Sequence, residues 1–199
     1  PPPLVTSHYE EGSVLYIYRY IEQDFGIDKL TTRNQHGFKR NCSTDSAIHK
    51  IVRKIEDAIS AGNQALGIFL DIEGAFDNIS FLAIKECLVK SGLPSTISNW
   101  IYFMISNRTI SLTLSGATCF RRITRGCPQG GVLSPFLWNL TLNGLFSSAD
   151  LDPDLLQAFA NDIAIIVGIF CMSTIRSKCQ LFLDRINSWC SSLLSGPQY

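Results

Sequence analysis

This chain of 199 residues is short of charge. Only 17% of it is Asp, Glu, Lys or Arg, and 17 basic residues balance 17 acidic ones. A net charge of zero excludes an overall basic footprint for nucleic acid, so any such site must be a local patch. The cysteines form no C-x-x-C pair and their number, 7, is odd. That supports neither a zinc site nor a disulfide framework, and reduced thiols in an intracellular protein are the expectation. No apolar run reaches membrane-spanning length. No signal peptide is visible, Pro1–Pro3 being a poor start for one. Internal repeats and low-complexity linkers are also missing. The chain begins without Met and closes on Ser195–Tyr199 without a clear stop, so a piece of something longer is expected. What is plentiful is apolar: hydrophobic residues make up 46%, enough for one good core or two small lobes.

The apolar residues are patterned. Leu15, Ile17, Tyr18 and Ile21 line a possible first helix within Leu4–Gly26. Lys29–Ser43, with Arg33, Lys39 and Arg40, reads as a loop or irregular strand. In Thr44–Ala61, Ile48, Ile51, Val52, Ile55, Ala58 and Ile59 recur at helical spacing, with Ser43 or Thr44 as the cap and Gly62 as the stop. Ala65–Leu70 is a short continuous apolar run, the mark of a buried strand, and it ends on Asp71. Helices follow over Phe81–Ser91, capped by Ser80, and over Thr96–Ser106. Thr109–Leu114 alternates as a half-buried strand, with a turn at Ser115–Gly116 into a second strand near Cys119–Thr124. Gly126, Pro128, Gly130 and Gly131 force a loop. Ser134 then reads as an N-cap with Pro135 at the first helical position, opening a buried helix to about Phe146. Gln157–Ile166 reads as a tight hairpin tipped by the polar pair Asn161–Asp162. Ile175, Cys179, Phe182, Ile186 and Trp189 give a last helical stripe. The order implies a mixed α+β fold, an antiparallel sheet with helices packed on one face.

Three stretches carry chemistry. In "FLDIEGAFD" (Phe69–Asp77) a buried strand delivers a carboxylate, which costs desolvation unless it is paired or metal-bound. Alone, Asp71 reads as a cap or salt-bridge partner, and Asn161–Asp162 as a plain turn. Brought side by side in one sheet, the two acidic strand ends would make an oxygen-only site, suited to hard cations such as Mg²⁺. Two such ions can clamp the attacking and leaving oxygens of a phosphoryl transfer. The glycine loop would let backbone approach a bulky flat ligand, with Gln129 reading its hydrogen-bonding edges. The helix N-terminus behind it favours an anionic group.

"FLDIEGAFD", "RGCPQGGVLSPFLWN" (Arg125–Asn139) and "FANDIAIIV" (Phe159–Val167) resemble successive palm motifs of reverse transcriptases, most of all the jockey-like non-LTR retrotransposon type. "QHGFKRNCSTDSAIH" (Gln35–His49) resembles that family's fingers motif, and "LDRINSWC" (Leu183–Cys190) the helix after its hairpin. The resemblance implies a right-hand polymerase: partial fingers and a leading helix over 1–62, and the palm strand with the first catalytic Asp over 63–77. Intervening helices and hairpin then occupy 78–120, the palm with its glycine loop, helix and catalytic hairpin 121–170, and a truncated palm helix 171–199, with the thumb absent. It implies catalytic roles for Asp71, Asn161 and Asp162, and two Mg²⁺ ions (or Mn²⁺) on Asp71, Asp162 and the Ile72 carbonyl. Phe76 matches the aromatic under the incoming sugar, whose bulk disfavours a 2′-hydroxyl. Gln129 and Gly130 match residues near the template base and nucleotide, and Lys39 stands where arginine would neutralise triphosphate. Arg121, Arg122 and Arg125 would contact nucleic-acid backbone. Without the resemblance, Phe76 reads as core and the basic residues as solvated surface. The implied partners are an RNA template, a DNA primer and dNTPs, without a membrane, and endonuclease and thumb regions lie outside the chain.

The pattern also departs from the family. The hairpin has Asn161 where the first of two adjacent aspartates is usual. Two divalent ions about 4 Å apart repel by roughly 17 kcal/mol at an effective dielectric near 20, so each carboxylate counts. Gly37–Thr44 reads GFKRNCST, with Asn41 and Cys42 in place of the family's inner glycine and second arginine, and "SSLLSGPQY" does not continue toward a lysine-bearing strand. A catalytically inactive retroelement relic that at most binds nucleic acid is the alternative to a working polymerase. A third reading is an unrelated α+β interaction domain.

Overall fold

A computed structural model describes residues 4–6, 11–114, 117–147, 155–169 and 172–195. The elements in chain order are β1 (Leu4–Thr6), α1 (Glu11–Asp24), α2 (Ile27–Leu30), α3 (Thr44–Ser60), β2 (Gln64–Asp71), α4 (Ala75–Asn78), α5 (Phe81–Lys90) and α6 (Ser95–Ser106). They continue as β3 (Thr109–Leu114), β4 (Ala117–Arg122), α7 (Ser134–Phe146), β5 (Leu156–Phe159), β6 (Asp162–Ile169) and α8 (Met172–Ser195). The turn expected at Ser115–Gly116 lies outside the described residues, as does the tail after residue 195.

Local chemistry explains the ends of α3 and the start of α5. Ser43 caps α3 in a reciprocal capping box with Ser46, and Gly62 stands at φ 75 just past its end. Ser80 accepts from the Ala83 amide at 3.1 Å to start α5. Ser134 is not the cap of α7. Leu133 holds that position and Ser134 is already helical, its hydroxyl donating to the Pro128 carbonyl at 2.6 Å. The bond ties the helix back to the glycine loop, a use that competes with capping.

Among the described residues the strands form two antiparallel sheets of three, ordered β1-β3-β4 and β2-β6-β5. The second sheet buries Leu156, Ala158, Ile163, Ile165 and Val167 in one core with α5, α7 and α8. Helix α7 is buried almost all round, from Phe136 through Phe146, with Trp138 fully enclosed. Helix α3 packs against β2, β5 and β6. Its apolar stripe is only partly used: Ile48, Val52 and Ile59 stay exposed while Ala47 is buried.

Candidate active site

Pairing between β2 and β6 sets Asp71 directly opposite Asp162. Cross-strand partners point to the same face with their Cβ atoms about 4.5–5.5 Å apart, so the two carboxylates stand side by side on one face. Both are exposed, while their neighbours Ile163 and Leu70 turn toward the core. The same face carries Phe69, Gln157 and Phe159, and beyond it α3 closes a cleft of about 440 Å³ with Ala47, Ile48 and Ile51. The hairpin tip differs from expectation by one residue. Its turn is Ala160–Asn161, and Asp162 is the first residue of β6, paired with Phe159. Of the polar pair, Asn161 sits in the turn and Asp162 is the last rung of the ladder beside it.

Asn161 is engaged on both sides. Its side-chain Nδ2 donates to Asp71 Oδ1, and its backbone carbonyl accepts from the Ile72 amide at 3.1 Å. Among the described residues no group of three or more His, Cys, Asp or Glu converges. The donor set is thus two carboxylates, with an amide whose N–H side faces Asp71. Carboxylate oxygens of this kind fit a hard divalent ion.

The turn is anchored from behind. Ala160 has φ 54, a conformation that costs a non-glycine residue about 1–3 kcal/mol unless its surroundings enforce it. Its carbonyl accepts two hydrogen bonds, from Gln35 Nε2 at 3.0 Å and Trp138 Nε1 at 2.7 Å. Neither residue was singled out from the sequence, although both lie inside the quoted stretches. A buried amide and an indole N–H, each needing a partner, were the available signal. His36, also buried, shares hydrogen bonds with Ser46 at 2.9 Å and Gln157 at 3.1 Å, and burial pulls its pKa below the usual histidine range.

Phe76, on α4, is half-buried. Its ring lies 5.8 Å from Trp138 and meets the exposed Phe38 edge-on at 6.0 Å. Next to it the glycine loop folds onto α4. The Cys127 amide donates to the Phe76 carbonyl at 2.7 Å, and a Cβ on Gly126, which has φ 83, would stand 2.6 Å from the Asp77 carbonyl oxygen. Gln129 spends its amide on both Asp77 oxygens, at 3.0 and 3.1 Å. Nothing crowds Gly130. Lys39 is tied to the backbone of its own segment. Its ammonium donates to the Thr32 carbonyl at 3.0 Å, and burial lowers its pKa. Asn41, at the expected inner glycine, keeps a glycine-like backbone at φ 57, which asparagine tolerates well. Arg121 and Arg122 are exposed on β4, Arg122 bonding Ser106 and Asn107, while exposed Arg125 bridges to Ser80.

Known proteins give this arrangement a context. The family model described as reverse transcriptase (RNA-dependent DNA polymerase) matches residues 17–193. The chain is 28% identical over 163 residues to the retrovirus-related Pol polyprotein of the type-1 retrotransposable element R1 of Bradysia coprophila, covering 82% of this chain and 16% of that one. It is 24% identical over 169 residues to the RNA-directed DNA polymerase from the mobile element jockey of Drosophila melanogaster, covering 82% and 18%. It therefore spans less than a fifth of these non-LTR retrotransposon proteins of insects. Among solved structures, telomerase from Candida tropicalis in complex with a telomeric RNA fragment superposes with a TM-score of 0.61 at 14% identity, over 89% of this chain and 31% of that one. Apo telomerase from the same organism gives 0.60 at 14% identity, over 92% and 35%. That likeness shows the fold, and with a family match across most of its length the chain belongs to the reverse transcriptase (RNA-dependent DNA polymerase) family.

Proposed function

We propose that this chain is the fingers–palm portion of an RNA-directed DNA polymerase from a non-LTR retrotransposon. The observation that carries the reading is the in-register pair Asp71–Asp162 at the mouth of the cleft. In the reaction a primer 3′-hydroxyl attacks the α-phosphate of a dNTP paired to an RNA template, and pyrophosphate leaves. Residues 1–62 serve as partial fingers, 63–77 and 121–170 as palm, 78–120 as its intervening helices and hairpin, and 171–199 as its closing helix.

Asp71 and Asp162 would hold Mg²⁺, or Mn²⁺ in its place, with the Ile72 carbonyl beside them. The ion supplies charge for the phosphoryl oxygens. The chain itself mostly positions groups. Phe76, backed by Trp138, would press against the sugar and exclude a 2′-hydroxyl. Gly130 leaves room for the nucleotide, and Gln129 would exchange Asp77 for the base pair. Lys39 would have to leave Thr32 to reach a triphosphate. Arg121, Arg122 and Arg125 would meet nucleic-acid backbone. The reading places the protein inside a cell, where the six described cysteines stay as the free thiols they are.

The test is primer extension on an RNA template with Mg²⁺ or Mn²⁺, the thumb region being supplied. Extension that disappears in Asp71→Ala and in Asp162→Ala supports the assignment. Extension that survives Asp71→Ala overturns it.

A further inference from the structure

We propose that Gln35 and Trp138 are positioning residues that hold the Ala160–Asn161 turn, and through it Asn161 and Asp162, in register with Asp71. The inference rests on the metal-site reading above and adds two residues to it.

Four observations converge on one carbonyl and its neighbours. First, Ala160 has φ 54 with a Cβ to accommodate, so the turn is not a free minimum of its own chain. Second, the Ala160 carbonyl is taken by two donors from distant parts of the sequence, Gln35 Nε2 and Trp138 Nε1. Gln35 is fully buried, and its Oε1 accepts from the Gly37 amide at 2.9 Å, so its amide orientation is set at both ends. Third, residues 34–36 run along the open edge of β5. The His36 amide donates to the Ala158 carbonyl and the Ala158 amide to the Asn34 carbonyl, each at 2.8 Å. Fourth, Gly37 sits so close that a Cβ there would lie 2.3 Å from the Ala160 nitrogen. Asn139 Nδ2 holds the Gly37 carbonyl at 3.0 Å. The fingers segment thus straps the turn from one side and α7 clamps it from below.

The strap acts where the chemistry is. Once Ala160 is held, the Asn161 carbonyl meets the Ile72 amide and the Asn161 side chain meets Asp71. Loss of either donor lets Ala160 relax toward negative φ and swings Asn161 and Asp162 away from Asp71.

The experiment uses the full chain with Mn²⁺ as the probe, read by electron paramagnetic resonance, and amide hydrogen exchange at Ile72 as a metal-free readout. Gln35→Leu and Trp138→Phe each delete the donor to the Ala160 carbonyl and keep an apolar side chain in place, Gln35→Leu also freeing the Gly37 amide. Each should weaken Mn²⁺ binding about fivefold to tenfold, the worth of one hydrogen bond, and speed Ile72 exchange by a similar factor, with far-UV circular dichroism unchanged. Ala160→Gly, added to either variant, should restore most of both, because glycine adopts the turn without being held. A merely structural role would not be rescued there. Unchanged affinity and exchange in both variants, or no rescue by Ala160→Gly, overturns the proposal. If Asp71→Ala and Asp162→Ala leave Mn²⁺ binding intact, the metal reading fails instead, and Ile72 exchange still decides the strap.

Discussion

Replacing Asn161 by Asp should tighten divalent-ion binding by well over tenfold. In the present chain the 161 side chain is neutral and gives its N–H to Asp71 Oδ1. The substitution removes that donor and adds a charge at the same place. Asp71 and Asp162 are exposed, so the bulk-water limit applies. There a unit charge about 4 Å from a divalent ion gains about 2 kcal/mol, roughly 30-fold in affinity. The metal-free protein pays on the other side of the ledger. Two carboxylates about 4 Å apart in water repel by about 1 kcal/mol, so its melting temperature should fall slightly and recover when the ion binds. Titration of free Mn²⁺ by electron paramagnetic resonance, with Asp71→Ala as the floor, measures the first effect, and thermal unfolding with and without ion the second. An affinity within twofold of the natural chain would refute the idea that carboxylate count limits this site. In primer extension with the thumb supplied, Asn161→Asp should outperform the natural chain for the same reason.

Three further outcomes follow from the packing. Gly126→Ala should cost at least about 3 kcal/mol in urea unfolding, since it combines a left-handed backbone with a clash against the Asp77 carbonyl oxygen. His36 has a folded-state pKa depressed by burial below the ordinary histidine value of about 6.5. The unfolded chain therefore binds the proton first, and stability should be full above about pH 6.5 and fall as pH drops toward the folded pKa; His36→Gln should flatten that slope in pH-dependent urea midpoints. Burial raises the thiols of Cys127 to about 12 and of Cys87 to about 11, whereas Cys119 is exposed. Iodoacetamide followed by mass spectrometry should thus mark Cys119 in the native protein and leave Cys127 and Cys87 until it unfolds.

Particular elements show what was legible beforehand. Helix α3 could be read because its apolar spacing and Ser43 cap are local signals, and the structure returns them within a residue. The positions of the strand before Asp71 and of the hairpin after Leu156 were legible for the same reason, but the expected burial of that strand was not met: β2 is an edge strand, none of its residues is fully buried and Phe69 is exposed. The position of the turn was not. Asn161–Asp162 looks like the tip on composition, but Ala160 takes the left-handed place that asparagine or glycine would normally fill, because Gln35 and Trp138 hold it there. The partial exposure of α3's apolar stripe was also hidden, since periodicity tells which face is apolar and not how much of it is covered.

By itself, the sequence determined the α+β class, most element boundaries, the two carboxylates, and the family to which the ordered motifs belong. These depend on short-range propensity and on motif spacing, both of which survive in one dimension. Tertiary structure alone decided that β1 joins β3 in a sheet separate from the one that carries the carboxylates, that Asp71 faces Asp162 in register, and that Asn161 bonds Asp71. It also decided that a buried glutamine 125 positions away bonds the Ala160 carbonyl in the hairpin turn. Such contacts are set by packing and by the need to satisfy each buried polar group, conditions that only the closed fold imposes.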